Sequence, residues 1–260
     1  CGAVGLATGR LLQDRGFAVT IYARELPPNT TSNIAGAQWN PVSVVDADQR
    51  SASFDAQFER ASRFAYRYFQ LLSGPRYGVS WRENYFLSAT PRQGGRTGIM
   101  ALIGDLLPID EVPPNEHPFG QLYVSRMLTM HIEPSVYLAA VLADFRLAGG
   151  RVVVHSFADA QSCAQLPEPL IINCTGLGAA TLFGDSELIP IKGQLTVLAP
   201  QPEVDYITIG PGDLYMMPRQ DGIVLGGTFE RGVATLEPNA VESQRILQGH
   251  RALFERMAGA

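Results

Sequence analysis

Gly2-Ala-Val-Gly-Leu-Ala-Thr-Gly-Arg-Leu-Leu-Gln-Asp-Arg-Gly16, running on into Phe17-Ala-Val-Thr-Ile-Tyr-Ala23, is the stretch that decides the fold. Glycines open its first half, apolar residues recur at Val4, Leu6, Leu11 and Leu12, and Gly16 ends it: a helix entered through a tight turn. The second half is β-branched and aromatic with no polar alternation, as in a buried strand of a parallel sheet. Gly2 and Gly5 have the spacing of the second and third glycines of a G-x-G-x-x-G turn whose first glycine would precede Cys1. There the second glycine lets the backbone approach a pyrophosphate, and the third lets helix and strand pack closely. Ala3 and Val4, at the helix start, would turn N–H groups toward the phosphates. Glu25 follows Gly5 at the ~20-residue spacing at which an acid meets ribose hydroxyls. The same glycine pair also serves as a packing device in proteins that bind no nucleotide, and an acid after a strand is often only solvated.

Composition narrows the rest. The 260 residues fit one large domain or two small ones with a real core. Hydrophobic residues make up 46% and charged ones 17%, which excludes a disordered tail or a coiled coil. No apolar run approaches the ~20 residues of a membrane helix. Twenty basic against 25 acidic residues, a net charge of −5, leave no cationic excess for nucleic acid. Cys1, Cys163 and Cys174 form no C-x-x-C pair, which favours a reducing compartment over a disulfide framework. The histidines His117, His131, His155 and His250 have no zinc spacing, so no metal is expected. The chain opens on Cys1 in mid-motif and reads as a fragment at both ends.

Beyond Ala23 the pattern alternates. Residues 27–33 read as a loop, 54–72 as an amphipathic helix, 81–87 as a strand and 108–118 as a proline-dense loop. A second α/β unit follows, with a helix over 134–148 that has Pro134 in its first turn, and strands over 151–155 and 169–174. After Pro190 come strands over 193–198, 206–209, 214–218 and 223–229, then a helix over 237–257. The whole reads as a Rossmann-like α/β domain (1–41 and 134–190) interleaved with an α+β domain carrying a mostly antiparallel sheet (42–133 and 191–260).

Four ordered segments bring a resemblance. Val19-Thr-Ile-Tyr-Ala-Arg-Glu-Leu-Pro-Pro-Asn-Thr-Thr-Ser-Asn-Ile-Ala-Gly-Ala-Gln-Trp-Asn-Pro41 is similar to the D-amino-acid oxidase stretch that joins the second strand, a hydroxyl-rich phosphate loop and a Trp-polar-Pro segment beside the flavin. Ile171-Ile-Asn-Cys-Thr-Gly-Leu-Gly-Ala179 resembles the family's strand end, and Pro190-Ile-Lys-Gly-Gln-Leu195 its Gly-Gln segment. Leu214-Tyr-Met-Met-Pro-Arg219 with Val224-Leu-Gly-Gly-Thr-Phe229 resembles its substrate-pocket strand pair. The order is that of the family, across nearly the whole chain.

The resemblance implies FAD as cofactor. It places Gly2, Ala3, Val4 and Gly5 at the pyrophosphate turn, and Thr31, Ser32 and Asn33 in the phosphate loop. Read alone, those three would equally cap or turn a helix. Arg24 and Glu25 fall near the adenosine, either one meeting the ribose. Gln38, Trp39 and Asn40 fall near the isoalloxazine, although a lone Trp39 also suits a core. Phe157 is placed by the adenine, and Thr175 and Gly176 at a strand's carboxyl end. Cys174 is expected to be buried and inert, and His155 to be a structural histidine of an apolar strand.

Tyr215 matches the tyrosine whose hydroxyl holds the substrate carboxylate, a role a strand tyrosine does not need. Tyr206 falls in the region of the lid. The family's second pocket tyrosine would fall near Pro211 and is absent, while its carboxylate-binding arginine and last flavin segment would lie past residue 260.

The activity implied is oxidation of a D-amino acid by hydride transfer from Cα to flavin N5, with dioxygen reduced to peroxide and no protein general base. The reaction would yield 2-oxo acid and ammonia. Rivals are a related amine oxidase acting on glycine, sarcosine or D-aspartate, an NAD(P)-dependent dehydrogenase, and a non-catalytic protein. The resemblance leaves room for a homodimer, and for a cytoplasmic or, in a eukaryote, peroxisomal location.

Overall fold

The computed structural model describes residues 1–36, 38–42, 45–92, 94, 96–120 and 122–257. In chain order the first elements are α1 (Ala3–Gln13), β1 (Thr20–Ala23), α2 (Ala52–Leu71), β2 (Val79–Ser88), β3 (Asp110–Val112) and β4 (Tyr123–Ile132). Then come α3 (Pro134–Leu147), β5 (Arg151–Val154), α4 (Ala160–Ala164), α5 (Gly178–Phe183), β6 (Ile191–Lys192) and β7 (Thr196–Leu198). The last are β8 (Ile207–Ile209), β9 (Tyr215–Arg219), β10 (Gly222–Gly226), β11 (Glu230–Arg231) and α6 (Ala240–Glu255). Short 3-10 turns cover Thr31–Asn33 and Gly98–Leu106.

These elements sort into two compact units: 1–35 with 134–192 and 230–235, and 36–133 with 193–229 and 236–260. Residues 36–41, which include Trp39 and Asn40, lie in the second unit, and 230–235 lie in the first.

In the first unit β1 and β5 pair in parallel, Thr20 opposite Arg151 and Ala23 opposite Val154. α1 and α3 pack together on them. Phe145, fully buried on α3, reaches Gly9 of α1, where an added Cβ would stand 3.0 Å from the ring and oblige it to give by a few tenths of an ångström. Gly9 is therefore what lets the two helices close up. Gln13 fastens the end of α1 by donating to the Phe145 carbonyl at 2.9 Å. The expected strand over 169–174 does not form. Its backbone pairs with no described strand, so Leu170, Ile171 and Ile172 stay exposed instead of entering a ladder.

The second unit is a seven-stranded sheet of order β3-β4-β2-β8-β9-β10-β7. Its pairs are antiparallel except β2 with β8. The longest ladder joins β2 to β4, Val79 opposite Ile132 through Ser88 opposite Tyr123. β4 carries no clean alternation and escaped the sequence reading. So did β3, inside the loop expected over 108–118, where only Asp110–Val112 meet the sheet edge. α2 begins at Ser51, whose hydroxyl accepts from Phe54 N, and covers a core of Trp39, Val79, Ile103, Leu107, Met127 and Met130. α6 packs Ile246 onto Met216, Ile223 and Leu225 from β9 and β10.

Candidate functional site

The first unit concentrates its polar groups at the entrance of α1. Ala3 N donates to Ser32 Oγ at 3.0 Å. That bond satisfies one of the helix's first N–H groups and leaves the Ser32 proton to be donated outward. A Cβ on Gly2 would stand 2.8 Å from Ser32 Oγ, so only glycine lets the serine lie against the helix end. Gly5 is different: a Cβ there would meet Cys174 at 3.6 Å, an ordinary contact. Thr31 is exposed beside Ser32, Val4 is exposed at the helix start, and Asn33 is buried, its Oδ1 accepting from Thr30 at 2.7 Å. A helix N-terminus with short hydroxyls beside it suits an anionic oxygen.

The carboxyl ends of β1 and β5 lie in the same unit. Arg24 and Glu25 follow β1 as an exposed ion pair of 3.5 Å, so the two residues read as interchangeable are each other's partners. Phe157 sits edge-on to Tyr22 and His155, at 6.0 and 4.6 Å between ring centres. His155 is exposed, not a satisfied histidine of an apolar strand, because β5 ends at Val154. Thr175 donates to Asn173 Oδ1 from both its N–H (3.0 Å) and its hydroxyl (2.7 Å). Its side chain is thereby committed, and Gly176, at φ +58 with open space around it, is the point of close backbone approach. Cys174 is half-buried, less enclosed than expected.

In the second unit the segment 38–40 runs along β4. Trp39 N donates to the Met130 carbonyl at 2.7 Å, and the Trp39 carbonyl accepts from the Thr129 hydroxyl at 2.7 Å. The indole is buried, 4.8 Å from the Tyr66 ring. The Trp39 side chain is thus packed in the core, and both of its backbone groups are bonded to β4. Gln38 Oε1 accepts from Asn84 Nδ2 at 2.6 Å. Among the described residues the buried Asn40 Oδ1 has no hydrogen-bond partner.

β9 turns Tyr215 and Met217 to one face, against Ile207 and Val224. The Tyr215 ring lies over Gly226 and Gly227, where a Cβ on either glycine would run into it. Burial raises the phenol above its usual range, so at neutral pH it is a hydrogen-bond donor. Tyr206 packs edge-on to Tyr85 at 5.9 Å and Phe119 at 6.3 Å. That places it in an aromatic cluster.

A buried polar cluster had no signal in the sequence. His131 and Glu133 are 0% and 4% exposed, with Nδ1 and Oε1 3.7 Å apart. Burial, then the charges of Arg82 and Arg219, hold His131 at a pKa of about 4, so the imidazole is neutral at pH 7 and the contact is no ion pair. Burial raises the Glu133 carboxyl, although Gln220 N donates to it at 3.1 Å. Arg219 is chelated by Asp221 at 2.8 and 2.5 Å. These residues meet only because β2, β4 and β9 share one sheet. Among the described residues no group of His, Cys, Asp and Glu is placed to hold a metal ion, and no helix is long and apolar enough to cross a membrane.

Parallel strands flanked by helices, with an anion cradle at one helix entrance, define a dinucleotide-binding protein. Residues 1–260 match the family described as FAD dependent oxidoreductase, and the chain belongs to that family. FAD is therefore the dinucleotide, and in the first unit the Gly2–Ser32 cradle at the α1 entrance suits its phosphates. The chain is 30% identical to a D-amino-acid oxidase of Rubrobacter xylanophilus, over all of this chain and 77% of that protein. It is 27% identical to a D-aspartate oxidase of Homo sapiens, over all of this chain and 75% of that protein. The fold is also that of a glycine oxidase from Geobacillus kaustophilus, with a TM-score of 0.70 and 16% identity, covering all of this chain and 77% of that one.

Proposed function

We propose that this protein oxidises neutral D-amino acids with dioxygen and water to 2-oxo acids, ammonia and hydrogen peroxide. The observation that carries this reading is the half-buried, protonated Tyr215, laid on Gly226 and Gly227. A phenol in that state donates a charge-assisted hydrogen bond to a carboxylate while its ring forms an apolar wall. Bound FAD supplies the hydride acceptor and the route of the electrons to dioxygen. Ser32, Thr31 and the α1 entrance would hold its phosphates, and Gly176 would let the backbone come close to it. Tyr215 fixes the substrate carboxylate and with it the direction of the Cα hydrogen. The relatives named D-amino-acid oxidase and D-aspartate oxidase align over the whole chain and support the D configuration.

The test is anaerobic reduction of the full-length protein's flavin by a panel of D-amino acids and their L-enantiomers. Bleaching by neutral D-amino acids and not by the L-forms is expected. Bleaching by D-aspartate or glycine alone would replace the substrate class, and a flavin bleached by no amine would sink the reading.

A further inference from the structure

We propose that Arg245 and His250 of α6 are positioning residues for Tyr215. The proposal rests on the reading of Tyr215 as the carboxylate donor. On one face the ring of Tyr215 lies against the backbone of Gly226 and Gly227. Whatever fixes that backbone fixes the height and tilt of the phenol.

Two side chains of α6 do so. Arg245 Nη2 donates to the Gly227 carbonyl at 2.6 Å. His250 is 2% exposed and sets Nε2 3.1 Å from the Gly226 carbonyl. Burial lowers the His250 pKa, so the ring is neutral at pH 7 and Nε2 carries the proton that this contact needs.

Arg245 also holds the other approach to Tyr215. Its Nη1 donates to the Gly212 carbonyl at 2.8 Å, in the turn between β8 and β9. That turn is closed by Gly210 N donating to the Leu214 carbonyl at 2.7 Å, and Gly212 and Asp213 both take positive φ. The third guanidinium nitrogen, Nε, is oriented by Glu242 at 2.7 Å. Leu214, the residue before Tyr215, lies on Gly249, where a Cβ would come within 2.5 Å of Leu214 Cδ1. One planar fork thus ties together the segment before Tyr215 and the segment beneath it. A lysine, with a single nitrogen, reaches one carbonyl at a time. Arg245 touches neither substrate nor cofactor in this account; it acts through Tyr215.

The experiment is a double-mutant cycle on the full-length flavoprotein with Arg245→Met, Arg245→Lys, Tyr215→Phe and the pairs, reading KM, kcat and amide hydrogen exchange over 210–228. Arg245→Met should raise KM for a D-amino acid roughly tenfold, the scale of one weakened hydrogen bond to a charge, with kcat moving less. Arg245→Lys should fall between, and supplies the cycle if the Met variant does not fold. Exchange over 210–214 and 226–228 should quicken in Arg245→Met and not elsewhere. In the Tyr215→Phe background the Arg245 change should add less than about twofold to KM, because coupled residues are not additive. Independent effects on KM, or unchanged exchange, would overturn the proposal. If Tyr215→Phe alone leaves KM unmoved, the carboxylate reading has failed and the positioning role falls with it. Quickened exchange in Arg245→Met would then still show the latch itself.

Discussion

At the entrance of α1 the polar atoms of Thr31 and Ser32 sit at or near the surface and are held by glycine and backbone, whereas Asn84, Thr129 and His131 in the second unit are all 0% exposed. The first arrangement keeps donors available for an anion that arrives later. The second spends some of its polar groups on one another and on the chain, Asn84 Nδ2 on Gln38 and Thr129 on the Trp39 carbonyl, while Asn84 Oδ1 and both His131 ring nitrogens have no hydrogen-bond partner among the described residues. A buried polar group without a partner costs about 1–3 kcal/mol, so such a sheet must be internally satisfied or lined by a ligand. The α1 entrance and the buried polar groups of the second unit's sheet therefore differ in what a polar substitution damages: anion binding at the first, folding and side-chain placement at the second.

The largest effect that would sharpen this contrast is on the core of the first unit. Phe145→Ala empties the space between α1, α3 and Gly9 and should cost about 3–5 kcal/mol. Denaturant unfolding should show the loss in the transition that releases flavin, with the sheet of the second unit persisting. A single unaltered transition would break the comparison.

Next in size is a pH effect confined to the second unit. His131 has a folded pKa of about 4 against an ordinary 6.5, so the unfolded chain binds its proton first as pH falls. Stability is full above about 6.5 and declines toward pH 4, by about 3 kcal/mol if this group acts alone. Glu133, whose carboxyl is raised by burial, works with the opposite sign and blunts the decline. His131→Leu should flatten the slope between pH 4.5 and 6.5 in melting experiments, and a slope that survives would assign it elsewhere.

Smaller again is the difference between two glycines of α1. Gly2→Ala pushes on Ser32 and should weaken FAD binding by about 1–2 kcal/mol, the worth of one charge-assisted hydrogen bond. Gly5→Ala meets Cys174 at normal contact distance and should leave the flavin Kd within about twofold. Equal losses from both would show that the cradle is not organised around Ser32. The smallest expected effect is at the cap of α6. Asn239 Oδ1 accepts from Val241 N at 3.0 Å and Glu242 N at 3.4 Å, and Asn239→Ala should cost about 1 kcal/mol by thermal unfolding.

What could be read in the sequence follows the same division. The α1 entrance, the parallel strand after it and the helix begun by Pro134 depend on neighbours in the chain, so glycine spacing and periodicity revealed them. The resemblance added Ser32 and Tyr215, which the structure puts at a helix end and on a glycine floor. Pro169–Cys174 misled because an apolar run becomes a strand only when another strand pairs with it. The ring neighbours of Trp39 and Tyr206 were not legible, because Tyr66, Tyr85 and Phe119 lie far from them in the chain. His131, Glu133, Arg82 and Arg219 lie far apart in the chain and left no local signal; only the registers of β2, β4 and β9 bring them together. Arg245 and His250 were hidden in the same way, on a helix whose partner strands lie tens of residues earlier.

The division of labour between the units is tested most directly by one crossed pair of titrations on the full-length protein: FAD Kd and D-amino acid KM, each in Ser32→Ala and Tyr215→Phe. Ser32→Ala should raise the flavin Kd roughly tenfold or more and leave KM unchanged once flavin is saturating. Tyr215→Phe should raise KM by a similar factor and leave the flavin Kd unchanged. If Tyr215→Phe instead released flavin and left KM alone, the account of the second unit as the substrate-holding side would be contradicted.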